Sequence, residues 1–202
     1  MRQIAAVAIV VVMALTVSVS AQQAAPSPDS LQKLMATYME LAQPGPEHQL
    51  LNDMAGKWNM ELTMWPQPGA EPMKSNLTGE FNLILGGRFL QSTSKGKIFG
   101  MDSETMQILG FDRRSKKYTL VAFDTQGTYS VSASGTMDPK TSTMTLYGED
   151  VDPLMNMVQK YDFVIKVIDK DTHSWSIIFK NPEMTGGAAE FKMIEILCKR
   201  AK

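Results

Sequence analysis

The sequence predicts an all-β domain, an antiparallel meander of about nine or ten short strands that closes into a barrel behind one short amphipathic helix. Three observations carry this. From Lys57 onward apolar residues recur with a period of two, as on a half-buried strand. The alternating segments are separated by short clusters of Asp, Asn, Gly and Pro, at hairpin-length intervals. Helical periodicity appears ahead of the strands, with no helix-length segments between them.

The elements follow in order. Asp29 or Ser30 reads as a helix N-cap, and Leu31, Leu34, Met35, Tyr38 and Leu41 follow at helical spacing until Pro44-Gly45-Pro46 stops the run. A second short turn covers Glu47 to Met54. Trp58, Met60, Leu62 and Met64 then alternate with polar residues up to Pro66. Leu77 to Leu85 is the next strand, and Arg88 to Lys95 its hairpin partner across Gly86-Gly87. Further strands are predicted over Thr105 to Phe111, Tyr118 to Asp124, Thr128 to Met137 and Thr143 to Gly148. Asp152-Pro153 opens a longer connection with room for a helical turn. The last strands are Lys160 to Ile168, Ser174 to Lys180 and Ala189 to Cys198. One twisted sheet of so many strands tends to close, which removes its edges. A two-sheet sandwich satisfies the same periodicity.

The first residues read as an export signal: Arg2 is a short basic region, Ile4 to Val19 is apolar apart from Thr16 and Ser18, and Val19-Ser20-Ala21 offers a cleavage site. The expected organisation is a signal peptide over residues 1–21, a tether and helix over 22–46, and the barrel domain over 47–202. The mature protein is thus expected to be exported, periplasmic or secreted, with no membrane-spanning segment left after cleavage. A formal net charge of −1 without a basic block argues against a nucleic-acid partner. Cys198 is the single cysteine, so no internal disulfide forms, and its apolar neighbours suggest a small buried hydrophobe.

Gly56-Lys57-Trp58, behind a short helix and at the head of a meander, resembles the Gly-x-Trp opening of lipocalins and other calycins. The wider pattern is similar to a bacterial family known as domain of unknown function 1579. The matching pieces are His48-Gln49-Leu50-Leu51, Ala55-Gly56-Lys57-Trp58, Leu85-Gly86-Gly87-Arg88-Phe89-Leu90, Leu109-Gly110-Phe111-Asp112, Tyr118 with Phe123-Asp124, Gly135-Thr136-Met137-Asp138 and Met193-Ile194-Glu195. The resemblance implies a lipocalin-type barrel, often exported, with no agreed activity or cofactor. It also implies that a basic residue of the last strand, Lys199 or Arg200, covers Trp58 as a cation–π lid.

Chemistry is sparse. No His, Cys or carboxylate set has a recognised zinc spacing, and no nucleophile elbow or phosphate loop occurs. His173, at a strand start, is the one position from which a histidine would reach a haem iron, but a solvated turn histidine is the expectation for it. The sixteen methionines are scattered, with Met155-x-Met157 the only tight loop pair, which suits core filling better than copper. No cofactor is therefore expected. Glu195, between Met193 and Leu197, and Arg88, alternating with Leu90, are candidates for an inward pair that orients a polar head group or bridges the barrel seam. Trp58, Tyr118 and Trp175 are candidate ligand-lining aromatics.

The first functional expectation is non-enzymatic binding of a small, largely apolar ligand inside the barrel, anchored by Arg88 or Glu195. The second is an interaction protein with a filled barrel, working through surface loops such as Asp150 to Met157 or through the N-terminal helix. The third is a small barrel enzyme using an inward acid and arginine.

Overall fold

The computed structural model of the chain describes residues 27–202; the expected signal peptide lies outside the described residues. Two compact units are separated between Thr37 and Tyr38, and the second holds every strand. Helix α1 spans Pro28–Leu41. Its cap is Ser27, earlier than expected. The Ser27 hydroxyl accepts the Ser30 N–H at 3.2 Å and the Ser27 carbonyl accepts that of Leu31 at 2.9 Å. Pro28 occupies the first helical position, where its missing N–H costs nothing. No residue of α1 is buried.

A 3-10 turn (Pro46–His48) and helix α2 (Gln49–Met54) lead into ten antiparallel strands: β1 Gly56–Met64, β2 Met73–Ile84, β3 Phe89–Ile98, β4 Met101–Asp112, β5 Lys117–Asp124, β6 Val131–Asp138, β7 Thr143–Asp152, β8 Met157–Asp169, β9 Thr172–Phe179 and β10 Phe191–Arg200. A short helix α3 (Pro182–Thr185) lies between the last two. Each strand pairs with its neighbours in sequence, and β1 pairs with β10, so the meander is a closed barrel rather than a sandwich. The seam runs from Trp58 opposite Arg200 to Met64 opposite Ile194.

Strand alternation decides the interior. Trp58, Met60, Leu62, Leu77, Phe81, Leu90, Leu109, Leu120, Leu146, Phe163, Ile165 and Trp175 are all buried in one core cluster. Cross-strand pairing keeps them on one face: Leu90 lies opposite Leu109, Leu109 opposite Leu120, and Leu146 opposite Phe163. Two hairpins run further than the periodicity suggests. The β3 and β4 ladder continues to Ile98 opposite Met101, around the two-residue turn Phe99-Gly100. That of β7 and β8 continues to Asp152 opposite Met157, where a longer connection was expected. The β7–β8 extension has no buried residue, and in the β3–β4 extension the inward positions are Ile98 and the polar Ser103, so neither shows a run of apolar alternation to read.

One end of the barrel is plugged. Leu51 and Met54 of α2 are buried beneath it, and the Trp58 indole N–H donates to the Met54 carbonyl at 3.0 Å. The Arg200 guanidinium lies 4.3 Å from the Trp58 ring centre. It donates to the carbonyls of Ala55 (2.9 Å), Asp53 (2.8 Å) and Lys170 (3.0 Å), and to the Asp171 carboxylate at 3.0 Å. Of the two basic residues at the end of β10, Arg200 is therefore the lid. Gly56 makes room for it: its φ is +138°, and a Cβ there would sit 2.5 Å from Arg200 Nη1. The Tyr118 hydroxyl donates to the Glu47 carbonyl at 3.1 Å and ties the turn before α2 to β5.

Arg200 joins three segments with one planar fork, so its loss should exceed that of a surface ion pair. Arg200→Ala is expected to cost about 2–4 kcal/mol in denaturant titration, from the stacking and the hydrogen bonds made by a charged donor. Arg200→Lys keeps the charge but not the fork, and should recover no more than about half of that loss. Gly56→Ala should destabilise in the same direction.

Candidate functional site

Toward the other end of the barrel, where the β9–β10 connection buries Thr185 and packs Met184 on the core, lies a cavity of about 50 Å³. One wall is apolar: Leu62, Leu77, Phe81, Trp175 and Ile196. The opposite wall, on β3 and β4, is polar and uncharged: Ser92, Ser94, Thr105 and Gln107. Register produces this division, because Ser92 pairs with Gln107 and Ser94 with Thr105 on the face shared by Leu90 and Leu109. The Ser92 hydroxyl donates to Gln107 Oε1 at 3.4 Å. No titratable side chain lines the cavity. Met60 and Ile98 complete the lining and can adjust their rotamers to an occupant.

The structure disperses the sequence-predicted site residues. Trp175 lines the cavity, whereas Trp58 and Tyr118 belong to the plugged end. Arg88 and Glu195 do not form the inward pair expected of them. Glu195 sits opposite Thr63 on the outer face, and its carboxylate pairs with Lys192 at 2.8 Å. An irregularity in β10 between Lys192 and Ile194 sets this parity, so that Ile194, Ile196 and Cys198 face inward instead. Arg88 donates to the Ala42 carbonyl (2.8 Å), the Leu85 carbonyl (3.0 Å) and Gln43 Oε1 (3.2 Å). The last carbonyls of a helix lack intrahelical partners, and Arg88 supplies one.

Arg88 lies in an outer groove of about 500 Å³ with Arg113 and Arg114. Three arginines together suggest an anion site, yet each guanidinium is engaged. Arg113 donates to the carbonyls of Glu40 (2.6 Å) and Gln43 (3.2 Å). Arg114 pairs with Asp112 at 3.0 Å and holds that carboxyl well below the usual carboxylate range. The groove is a clamp on residues 40–43 rather than a receptor.

Both histidines are buried, whereas His173 was expected to be a solvated turn residue. His48 Nδ1 accepts the Gly45 N–H at 3.0 Å, and its ring packs edge-on to Phe111 at 6.0 Å. His173 is 2 % exposed, 4.3 Å from the Trp58 ring and 5.7 Å from Phe81. Its Nδ1 accepts the Trp175 indole N–H at 2.9 Å. A neutral ring that accepts at Nδ1 carries its proton on Nε2, so it presents no lone pair there and is a poor iron ligand. Burial, helped by the charge of Arg200, pushes the His173 pKa from 6.5 down to about 4. Cys198, between Met60 and His173 in the register, is fully buried, and burial pushes its thiol up to about 12, in line with an inert core residue. Among the described residues no group of three potential ligands could hold a metal ion, and no helix is long and apolar enough to cross a membrane.

The polar wall was the part sequence reasoning missed. Its signal was present in the parity of Leu90 with Ser92 and Ser94, and of Leu109 with Gln107 and Thr105.

Against this geometry, the model of a family described as "Protein of unknown function (DUF1579)" matches residues 43–200. A crystal structure of Rv2717c from M. tuberculosis is similar in fold, with a TM-score of 0.54 at 16 % identity, over 79 % of this chain and 100 % of that one. No curated protein matches the chain.

The low pKa of His173 makes stability pH-dependent with a definite sign. The unfolded chain takes up a proton near pH 6.5 and the folded one only near 4, so stability present above 6.5 is lost as pH falls through about 4. The loss should approach about 3 kcal/mol. Denaturant titrations from pH 7 to 4 should show it, and His173→Gln, which keeps an acceptor for Trp175 but does not titrate, should flatten that part of the profile.

Proposed function

The chain belongs to the family of unknown function DUF1579, and since that description carries no activity, we propose from the geometry alone that it is a non-catalytic binding protein that takes a small, largely apolar group into the cavity at the end of the barrel away from Trp58. The two-faced lining carries this reading. An apolar wall facing uncharged hydroxyl and amide groups suits a group of a few carbon atoms bearing one hydrogen-bonding atom. Size limits it: small-molecule pockets generally hold about 300–1,000 Å³, and this cavity holds about 50 Å³. The rest of a larger ligand would remain outside, against the rim. The lining hydroxyls of Ser92, Ser94 and Thr105 have no acid or base beside them in the cavity to activate them, which favours binding over catalysis.

The sequence of residues 1–21 supports export, and N-terminal sequencing of the protein recovered from its native cells is expected to begin at Gln22; a chain that retains Met1 in the cytoplasm overturns that assignment.

Binding is tested with 1-butanol as the probe. Methyl resonances of Met60 and Ile98 are expected to shift saturably as it is added, and Ser94→Leu, which fills the cavity, should abolish the shifts while the fold is kept. Weak, non-saturating shifts spread over the surface would overturn the reading.

A further inference from the structure

The two ends of the barrel differ in what they expose. At the cavity end, three successive connections, those after β3, β5 and β7, carry apolar side chains into solvent. The β3 to β4 turn presents Phe99 and Met101, the connection from β5 to β6 presents Tyr129, and the β7 to β8 hairpin presents Val151, Leu154, Met155 and Val158. Leu154 is 96 % exposed. The plugged end instead ends in Arg113-Arg114-Ser115-Lys116, Pro139-Lys140-Thr141 and Lys170-Asp171, with Leu85 and Ile168 as isolated exposed apolar residues.

Scattered exposed apolar residues are ordinary. One feature sets this arc apart. Leu154 and Met155 are held in place: Asp152 Oδ1 accepts both of their N–H groups, at 2.8 and 2.9 Å, and its Oδ2 accepts from Gln159 at 3.0 Å. A pinned backbone lowers the ordering cost of docking an exposed leucine.

Charge selects the occupant. Asp124, Glu149, Asp150 and Asp152 flank the arc, and none forms an ion pair among the described residues. The other acidic residues near these hairpins, Asp102, Glu104 and Asp162, are matched by Lys97, Lys95 and Lys180. Lys160 is the nearest cation to the unmatched set in the ladder, opposite Glu149. A second copy docking by the same face would bring acid against acid, and an anionic bilayer would be repelled.

We propose that the rim at the cavity end is a docking surface for a polypeptide segment carrying apolar side chains interspersed with lysine or arginine. Its apolar residues lie on Phe99, Tyr129 and Leu154, and its cations face Asp124, Glu149 and Asp150. This rests on the cavity reading in one respect: one small apolar side chain of the segment is the group that enters the cavity.

The experiment titrates the isotopically labelled mature chain with a twelve-residue peptide of alternating valine and lysine, and with its valine–glutamate counterpart. The lysine peptide is expected to shift the amides of the three cavity-end connections and to bind at least tenfold more tightly than the glutamate peptide. Leu154→Ser with Met155→Ser leaves every charge in place and should weaken binding at least tenfold; both side chains are exposed, so thermal unfolding should be unchanged. Unaltered affinity in that variant, or shifts confined to other surfaces, overturns the proposal. So does binding to phosphatidylcholine vesicles that is stronger than peptide binding and lost in the same variant, which would make the rim a membrane contact. The two readings fail separately. Peptide binding at the rim, with no saturable 1-butanol shift at Met60 and Ile98, sinks the cavity and keeps the rim, whereas saturable 1-butanol binding without peptide binding does the reverse.

Discussion

The fold depends on closing a ten-stranded sheet onto itself at β1 and β10, and Arg200 completes that closure. A meander without this seam would leave two long edge strands, with Trp58 and Met60 on one of them. Hydrogen bonds across the seam supply register. The guanidinium supplies what a ladder lacks, a link from the last strand to α2 and to the β8 to β9 turn at once. The same group stacks on Trp58, so the indole is held between a cation, the Met54 carbonyl and the His173 ring. Gly56 is a consequence of this packing, since any side chain there would collide with the lid.

Plugging one end with large aromatics fixes what remains inside. Trp58, Phe81, His173 and Trp175 form a chain of ring contacts across the plugged half. On the same inner face, toward the other end, Tyr161 meets Phe163 and Phe179. Such packing leaves a barrel that elsewhere would enclose a whole ligand with space for only a few atoms. The buried histidine fits the same account. Its one hydrogen bond comes from Trp175, its Nε2 has no partner, and its position among aromatic rings keeps it neutral. That is a stability liability in acid, tolerated because the ring fills the core.

The sequence made the barrel legible because core-facing residues alternate wherever both strands of a hairpin lie over the core. Trp58 to Met64, Tyr118 to Asp124 and Thr143 to Gly148 show this, and each lies within a strand. The lid was readable through the family resemblance, as a basic residue at the end of the last strand. The site was less legible, for two physical reasons. Side-chain parity in β10 is reset by an irregularity near Met193, which has no signature in composition, so Glu195 looked inward. Arg88 follows two glycines and alternates with Leu90, yet a long side chain at a strand end can swing out to the carbonyls that end α1, and sequence spacing does not show those carbonyls are near. His173 misled because a turn position implies solvent only where no neighbouring ring covers it, and Trp58 and Phe81 cover this one.

Polarity between the two ends is the property the barrel adds to its sequence. Apolar and acidic residues at 99–101, 124–129 and 149–158 are far apart along the chain, and basic residues at 113–116, 140 and 170 are interleaved with them. An antiparallel meander sends alternate connections to opposite ends, so this interleaving becomes a separation in space. Neither set would form a patch in a fold with a different strand order. The end sealed by Trp58 and α2 carries Arg88, Arg113 and Arg200, spent on backbone carbonyls, while the other end carries Asp124, Glu149 and Asp150, the exposed apolar tips and the cavity. Structural and recognition demands thus fall on different connections of the same sheet, and a change to one set of turns need not disturb the other.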